Sequence, residues 1–411
     1  MSVMNDDIFF REWRARRAGE TRSRERARLL AERLGIASPS VPVLGVVGSK
    51  GKGTTATYAS ACLAAAGLRV VTVTGPSFRS NRERIRVDGA AVPSLDGLAR
   101  RLEAAIPGLP GPGYLAPSGL FTLAAVLHAH EIGAGALVIE AGMGGASDEL
   151  SLFAPAVVAI ASVFGEHLGK LGDSVPEIAR EKAGVTAATT RAVLSLPQAD
   201  DVREAIAETV KARTGGRAGV TTVDPDPPVA RLPEGLSRQN GALGCAAGLR
   251  LLDVLGRPAP DDLDATLATV RLPARLSRHR IPGTDAAITV DSAIERRGVA
   301  TALAAAGPVD HVFVCLPDHK DVDGAIAELE GRAVTAVRLP DAHLRFDHAL
   351  PASWDVMDAE DLTAAALAAR GDRLLALGTV YFTGRVLDAI DAGTERLFTP
   401  PGGSPAATPG G

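Results

Sequence analysis

The sequence predicts a two-domain α/β protein in which mostly parallel sheets are covered by helices. Short β-branched runs alternate with longer segments rich in Ala and Leu, which have the length of crossover helices. This alternation is typical of parallel sheets with helices on both faces. In addition, a chain of 411 residues is too long for one ordinary hydrophobic core.

The first alternating set predicts the sheet of a larger domain. Its apolar runs begin at residues 41, 69, 135, 156 and 191 and read VPVLGVV, RVVTVT, GALVIEAG, AVVAIASV and RAVLSL. Apolar residues at helical spacing within 8–35 predict one or two surface helices before this sheet. After a looser segment near 214–236, the small-residue run SRQNGALGCAAGLRLLDVL predicts a further helix.

A second set, AAITVD, HVFVCLP, AVTAVRLP and RLLALGT, predicts a smaller α/β domain. The Pro282-Gly283 pair is a turn signal, and we place the domain boundary there. The first domain then spans 1–282 and the second 283–392. Residues 393–411 are rich in Pro, Gly and Ser, which predicts a disordered tail.

Composition and charge argue against several classes of protein. The 44 basic and 48 acidic residues give a formal charge of −4, so nothing suggests binding to nucleic acid or an anionic membrane. No segment has the roughly 18 uninterrupted apolar residues of a membrane span, and the N-terminal residues lack the apolar stretch of a signal peptide. Cys62, Cys245 and Cys315 are scattered in apolar runs, which predicts buried thiols. We expect a cytoplasmic enzyme, monomeric or a small homo-oligomer.

The strongest functional pattern is a glycine-rich run between the first predicted strand and an apolar helix. It consists of Gly48, Ser49, Lys50, Gly51, Lys52, Gly53, Thr54 and Thr55. Glycines let several backbone N–H groups face one point, to which the helix adds its positive N-terminal end. The run therefore predicts an ATP phosphate site in which Lys52 reaches the β and γ oxygens and Thr54 ligates Mg²⁺.

The strict GxxxxGK[ST] pattern is not met in this run. Val46 stands where the first glycine should be, and Gly53 follows the lysine. A plain glycine-rich turn is therefore the alternative interpretation.

This form of the loop resembles the G-[TS]-x-G-K-G-[ST] version of folylpolyglutamate and dihydrofolate synthases, in the Mur ligase superfamily. Other segments similar to that family follow in its order, within residues 22–390. They are ERIRVDG at 83–89, EAGMGG at 140–145 followed by Asp148, GEH at 165–167, LGD at 171–173, IAREKAG at 178–184 and GTVYFTG at 378–384. The resemblance implies a P-loop-containing Mur ligase-type domain followed by a smaller Rossmann-like domain.

The resemblance implies an ATP-dependent ligase that activates a carboxylate as an acyl phosphate and joins it to an amine. In this family the amine is L-glutamate and the acid is a folate-type compound. The reaction brings several negatively charged phosphate oxygens close together, and enzymes commonly use divalent metal ions to neutralise that charge. Glu140, which ends the strand GALVIE, is expected to share Mg²⁺ with Thr54.

Two further residues resemble family ligands of a second metal and are assigned, with Lys52, to catalysis. They are His167 and Lys182, and the family lysine at the latter position is often carbamylated. From the residues alone, His167 could instead be a surface or capping residue. Lys182 could instead be an i,i+4 surface partner within its helix or the partner in a salt bridge near Glu181.

Three positions are assigned to the nucleotide by the same resemblance. Asn240 is the remaining residue of the family's HQ-x-x-N, where Leu236 and Ser237 replace His and Gln. Arg275 resembles an arginine that contacts the ATP phosphates, and Asp291 an acidic residue that meets the ribose. These assignments imply that ATP lies between the domains and that closure excludes water.

Several positions depart from the family pattern, mostly around the expected pterin and glutamate surfaces. The family's T-S-P-H is TGPS at 74–77, its D-G-A-H-N is DSAIE at 291–295, and GGR-x-DATN has lost its arginine and asparagine to Ala146 and Ser151. Three hypotheses therefore stay open: folate-type glutamylation, a Mur-type amide ligase with a non-folate acyl substrate in specialised metabolism, and a nucleotide-binding pseudoenzyme. A generic P-loop kinase or motor ATPase does not predict the second domain.

Overall fold

The computed structural model describes residues 7–38, 40–227, 231–233, 235, 237–340 and 344–402. The chain divides into two compact units. The first unit comprises residues up to 75, residues 81–270 and those from 396 onward, and the second comprises 76–80 and 271–395.

In the described residues, an eight-stranded sheet organises the first unit. Its strands are β1 (Val43–Val47), β2 (Val70–Val73), β3 (Ile85–Val87), β4 (Ala90–Ala91), β5 (Ala136–Glu140), β6 (Val157–Ile160), β7 (Ala192–Ser195) and β8 (Val220–Thr222). Their order in the sheet is β4-β3-β2-β5-β1-β6-β7-β8. The six strands β2, β5, β1, β6, β7 and β8 are parallel, whereas β3 pairs antiparallel with β2 and β4 pairs antiparallel with β3. The five predicted strands are confirmed as β1, β2, β5, β6 and β7. The other three were not predicted because runs of two or three residues are too short to show a period.

Helices cover this sheet. They are α1 (Asp7–Ala15), α2 (Arg24–Arg33), α3 (Lys52–Ala65), α4 (Asp96–Ala105), α5 (Pro117–Glu131), α6 (Val175–Ala183), α7 (Asp200–Thr214), α8 (Ser237–Val254) and α9 (Leu263–Leu267), with 3-10 turns at Asn81–Arg84 and Glu149–Phe153. The small residues of α8 let it approach α3 closely. A Cβ at Gly244 would lie 2.4 Å from the carbonyl oxygen of Thr55, and one at Gly248 would lie 2.8 Å from that of Ala59. Larger side chains at either glycine would push the two helices apart.

The second unit contains a six-stranded sheet in its described residues. Its strands are β9 (Ser277–Arg280), β10 (Ala287–Asp291), β11 (His311–Cys315), β12 (Val334–Arg338), β13 (Asp355–Asp358) and β14 (Arg373–Gly378). The order is β13-β12-β11-β14-β10-β9, parallel except for β9. Its helices are α10 (Arg296–Ala306), α11 (Val322–Glu328), α12 (Ala364–Ala368) and α13 (Val380–Ala389), with a 3-10 turn at Ala359–Asp361. The four predicted strands are confirmed as β10, β11, β12 and β14.

The predicted domain boundary at Pro282-Gly283 falls inside a hairpin of the second unit. Strand β9 pairs antiparallel with β10, and Ile281 N donates to Ala286 O at 2.9 Å where the chain turns. The Pro-Gly pair marks this turn, with Gly283 at φ +74. The structure therefore divides the chain after Val270 rather than at residue 282.

The segment predicted to begin a disordered tail at residue 393 is packed over its first part. Leu397 and Phe398 are buried, and Leu397 N donates to Gly89 O at 2.9 Å. A Cβ at Gly89 would lie 2.5 Å from Phe398 O, so the two segments touch closely. This part of the tail is ordered although its surroundings are rich in Pro, Gly and Ser, because burying Leu397 and Phe398 removes apolar surface from water and so stabilises the packed segment. Residues 403–411 of the predicted tail lie outside the described residues.

Two further features concern the cysteines and the helices. Cys62, Cys245 and Cys315 are buried thiols, as the apolar runs around them predict. Among the described residues, none of the helices combines the length and the apolar character that crossing a membrane requires.

Candidate active site

The glycine-rich run forms the loop between β1 and α3. Helix α3 begins at Lys52 after the N-cap Gly51, which has φ +85, and within the described part of the chain no side chain caps its first turn. Gly48, with φ +145, turns the chain out of β1. A helix start of this form, at the carboxyl end of a central parallel strand, accepts phosphate oxygens through its backbone N–H groups.

Neighbouring segments hold the loop tightly. Ser49 N donates to Ser162 O at 2.8 Å, and Ser49 Oγ accepts from Phe164 N at 3.1 Å. The ammonium group of Lys50 lies 5.6 Å from the centre of the Phe164 ring, within cation–π range. The residues after β6 therefore support the loop from one side.

Asn240 of α8 supports the loop from another side. A Cβ at Gly51 would lie 2.0 Å from Asn240 Oδ1, and Thr55 Oγ1 donates to Asn240 O at 3.1 Å. The structure thus brings the predicted residue Asn240 directly against the predicted phosphate loop. Its contact with the nucleotide stays a prediction.

Replacing Gly51 by Ala is expected to destabilise the protein by about 2–4 kcal/mol, combining the cost of a positive φ with a steric clash. The affinity for ATP should fall as well, because Asn240 or the loop must move. Gly67→Ala is the matched control: Gly67 also has a positive φ, +78, but a Cβ there meets nothing within 4 Å. Denaturant unfolding and ATP titration of both variants measure the difference, and equal effects would contradict the packing of Asn240 on the loop.

Lys52 and Glu140 flank the start of α3. Lys52 Nζ donates to Gly48 O at 3.0 Å, so its ammonium group lies over the loop. The Glu140 carboxylate accepts from Gly75 N at 3.0 Å and lies 3.5 Å from where a Cβ of Gly53 would be. Thr54, the next residue, is buried. A hydroxyl and a carboxylate at one helix start are ligands that suit Mg²⁺ bound to phosphate oxygens.

Lys182 reaches the same loop from α6. The predicted capping signal is confirmed, since Ser174 Oγ accepts from Glu177 N at the start of this helix. The Lys182 side chain is 1% exposed, and its Nζ donates to Gly48 O at 3.0 Å and to Glu166 Oε1 at 2.7 Å. Lys182 is therefore not a surface residue, although it does form an ion pair, with Glu166.

Burial lowers the pKa of Lys182, and the positive charge of Lys52 lowers it further, while Glu166 opposes the shift. A buried lysine with a lowered pKa has a larger fraction of neutral, nucleophilic amine. Glu166 itself was missed as a site residue by the sequence analysis. Its position in GEH, where the family has DH, was the available signal.

His167 follows Glu166 in an exposed turn. Its φ is +49, and its carbonyl oxygen accepts from Lys170 N at 2.9 Å and Leu171 N at 3.1 Å. Within the ranges that the structure describes, His, Cys, Asp and Glu side chains form no group of three or more that could hold a metal. The role of His167 as a metal ligand stays a prediction.

Arg275 and Asp291 lie close together within the second unit. Asp291 ends β10, and its Oδ2 accepts from Leu276 N at 2.8 Å. The guanidinium of Arg275 donates to Ala274 O at 2.8 Å. The residues on either side of Arg275 have positive φ, +50 at Ala274 and +53 at Leu276. Such strain in non-glycine residues is common at functional sites, but the nucleotide contacts of Arg275 and Asp291 stay predictions.

A second loop, which contains the glycines of the EAGMGG segment and Asp148, follows Glu140 and is called here the 142–148 loop. Asp148 closes it, because its Oδ2 accepts from Gly142 N at 3.1 Å and Met143 N at 3.2 Å. Glu181 of α6 holds its middle, since its Oε1 accepts from Ser147 N at 2.8 Å and Ser147 Oγ at 2.6 Å. Both acidic residues therefore hold the loop through hydrogen bonds.

Comparison with known proteins gives sequence relatives and structural neighbours. The search of family models finds no match. The chain is 28% identical over 397 residues to the dihydrofolate synthase/folylpolyglutamate synthase of Escherichia coli, covering 90% of this chain and 91% of the relative. It is 36% identical over 171 residues to a probable bifunctional folylpolyglutamate synthase/dihydropteroate synthase of Haloferax volcanii, covering 40% of this chain and 20% of that longer relative.

Solved structures share the fold over almost the whole chain. The apo form of L. casei FPGS superposes with a TM-score of 0.76 at 20% identity, covering 93% of this chain and 99% of that one. A bifunctional folylpolyglutamate synthase/dihydrofolate synthase from Yersinia pestis, complexed with AMPPNP and a Mn ion, has a TM-score of 0.73 at 23% identity, covering 91% and 95%.

The predicted α/β fold class is confirmed: a larger unit and a smaller unit each have a mostly parallel sheet, and the chain shares the fold of solved folylpolyglutamate synthases. The relatives and the structural neighbours agree. In sequence the chain is similar to dihydrofolate synthase/folylpolyglutamate synthases, and it shares the fold of solved folylpolyglutamate synthases.

Proposed function

We propose that this protein is an ATP-dependent carboxylate–amine ligase that forms an amide through an acyl phosphate. The observation that carries the proposal is the contact of Lys182 with the phosphate loop. A buried amine on α6 donates to the carbonyl oxygen of Gly48, 134 residues earlier in the chain. A glycine-rich turn with a purely structural role would not require a lysine to be buried against it.

In the first step, a carboxylate oxygen of the acid attacks the γ-phosphorus of ATP, and the bond to the β-phosphate oxygen breaks to release ADP. In the second step, the amine attacks the acyl carbon, phosphate leaves, and the amine loses a proton. Both steps gather negative oxygens at one place, so positioned cations are the principal catalytic contribution. Lys52 supplies one such cation over the loop.

Thr54 and Glu140 are proposed to hold Mg²⁺ at the start of α3. When bound there, Mg²⁺ neutralises phosphate oxygens and orients them. His167 and Lys182 are proposed to serve a second metal. A carbamate on Lys182 would form when the neutral amine adds to CO₂ and releases a proton. It would place a second anion beside Glu166, a pair that favours a divalent cation.

The proposed substrates are a folate-type acid and L-glutamate, which the names of the relatives support. The replaced positions Ser77, Ala146 and Ile294 favour the second candidate, a ligase with a non-folate acyl substrate. Both candidates use the same ATP chemistry and predict small-molecule partners in the cytoplasm.

ADP formation measured with a panel of acids and amino acids tests the proposal. We expect ADP to form only when an acid and an amine are both present, with a product mass equal to their sum less one water. Folate or dihydropteroate with glutamate selects the first candidate, and another pair selects the second. Nucleotide binding without ADP formation for every pair would contradict the ligase and favour the pseudoenzyme.

A further inference from the structure

Arg22 lies against the 142–148 loop although 120 or more residues separate them in the chain. Its backbone is fixed by a bridge to Tyr114, and Ser23 N donates to Tyr114 O at 2.9 Å. The guanidinium of Arg22 therefore projects from a backbone that is itself tied to another segment of the first unit.

The guanidinium makes three polar contacts with the loop. Nη2 donates to Met143 O at 2.7 Å and to Ser147 Oγ at 2.9 Å. Nη1 donates to Asp148 Oδ2 at 3.4 Å. The Arg22 side chain is 14% exposed, so these contacts are largely shielded from water. The planar fork thus joins the beginning and the end of the loop, a geometry that a single ammonium group does not reproduce.

The loop that Arg22 holds lies between two groups proposed to bind metal. It begins two residues after Glu140. On its other side it packs on α6, where Ala146 N donates to Glu181 O at 2.8 Å and a Cβ at Gly145 would lie 2.3 Å from Lys182 O. A displaced loop would therefore disturb the backbone on either side of the site.

Arg22 also balances the charge of a buried acidic pair. Asp148 and Glu149 are each about 1% exposed, and Glu149 Oε2, without a hydrogen-bond partner among the described residues, lies 3.8 Å from Arg22 Nη1. Burial and the charge of Asp148 raise the pKa of Glu149 to about 7, while Arg22 and Arg24 act in the opposite direction. Without Arg22, the two buried carboxyl groups of Asp148 and Glu149 would have less positive charge near them to balance their negative charge.

We propose that Arg22 is a positioning residue of the ligase: it fixes the 142–148 loop and so holds Glu140 and Lys182 in the arrangement that binds the metal–nucleotide complex. The inference rests on the proposed function.

The test compares Arg22→Ala, Arg22→Lys and the control Arg28→Ala by titration with a non-hydrolysable ATP analogue, with and without Mg²⁺. Arg28 is an exposed residue of α2 that pairs with Glu25 and Glu32, away from the loop. Arg22→Ala is expected to weaken Mg²⁺-dependent binding roughly tenfold, a typical coupling between sites, and to leave metal-free binding unchanged. Arg22→Lys should give a smaller loss because it keeps the charge without the fork, and Arg28→Ala should match the wild type.

A pH series provides a second readout that needs no turnover. The folded pKa of Glu149 is raised, so its contribution to stability is full below the unfolded pKa and is lost as the pH rises towards about 7. Removing Arg22 should raise the pKa of Glu149 further. The loss of folding stability with rising pH should therefore extend to higher pH in Arg22→Ala than in the wild type. Adding Glu149→Gln should abolish the difference between the variants.

Two results with Arg22→Ala would overturn the proposal. One is a Mg²⁺ dependence of analogue binding equal to that of the wild type, and the other is an equal loss of affinity for the analogue with and without Mg²⁺. If Arg22→Ala does not fold, wild-type Mg²⁺ dependence in Arg22→Lys alone overturns it. These binding measurements are independent of ADP formation. A failed ligase assay with intact Mg²⁺ coupling through Arg22 would therefore count against the proposed reaction and leave this inference standing.

Discussion

Replacing Lys52 by Ala is expected to lower the rate of ADP formation about 10³-fold, the scale on which single positioned charges act in transition states. The ammonium group lies over the loop through its bond to Gly48 O, where the transferred phosphoryl group would carry its charge. The fold should persist, because Lys52 is only partly buried and its hydrogen bonds are made to carbonyl groups of an adjacent turn. Steady-state kinetics and a thermal unfolding curve measure the two effects separately.

Lys211→Ala is the matched control for this experiment. Lys211 is an exposed lysine of α7, so its loss removes the same charge from the protein without touching the loop. Activity near the wild-type level in Lys52→Ala would show that the loop does not bind the transferred phosphate, and the ligase proposal would then fall.

Replacing Lys182 by Ala is expected to lower the rate at least about 10²-fold and to allow partial recovery with a short carboxylic acid such as acetate. The truncation opens space beside Gly48 and Glu166, which an added acid can enter to replace the carboxylate of a carbamate. Lys182→Met should be equally inactive but resistant to recovery, because its side chain fills that space. A carbon-13 NMR signal from labelled bicarbonate should appear in the wild type and be absent from both variants.

The comparison of the two Lys182 variants separates a carbamate from a structural ion pair. If Lys182 served only to neutralise Glu166, Glu166→Gln with Lys182→Met would restore stability and turnover together. Recovery of turnover in that double variant would exclude the carbamate. An unchanged rate in Lys182→Ala would remove Lys182 from the mechanism.

Much of the fold could be predicted from the sequence, because runs of four or more apolar and β-branched residues determine a buried strand largely by themselves. The nine predicted strands are such runs, and GSKGKGTT predicts its loop because glycine permits the required φ. Shorter strands such as β4 and β8 are stabilised by pairing with a neighbour, which a local pattern does not show. The Pro282-Gly283 pair predicts a turn, but a turn can end a domain or close a hairpin. Here it closes a hairpin, because the strands on its two sides, β9 and β10, pair with each other.

By itself, the sequence determined the fold class and the glycine-rich loop after the first strand, and it predicted the residues that resemble the family's ligands, since each of these patterns depends on neighbours within a few positions. Tertiary structure alone decided that Lys182 contacts Gly48 and Glu166, that Asn240 packs on Gly51, and that Arg22 holds the 142–148 loop. Apart from the Lys182–Glu166 pair, whose members are 16 residues apart, these contacts join segments about 120 to 190 residues apart, where side-chain chemistry permits many pairings. The packing of helices on the sheet selects one of them, because a close-packed interior leaves a buried charge few partners it can reach.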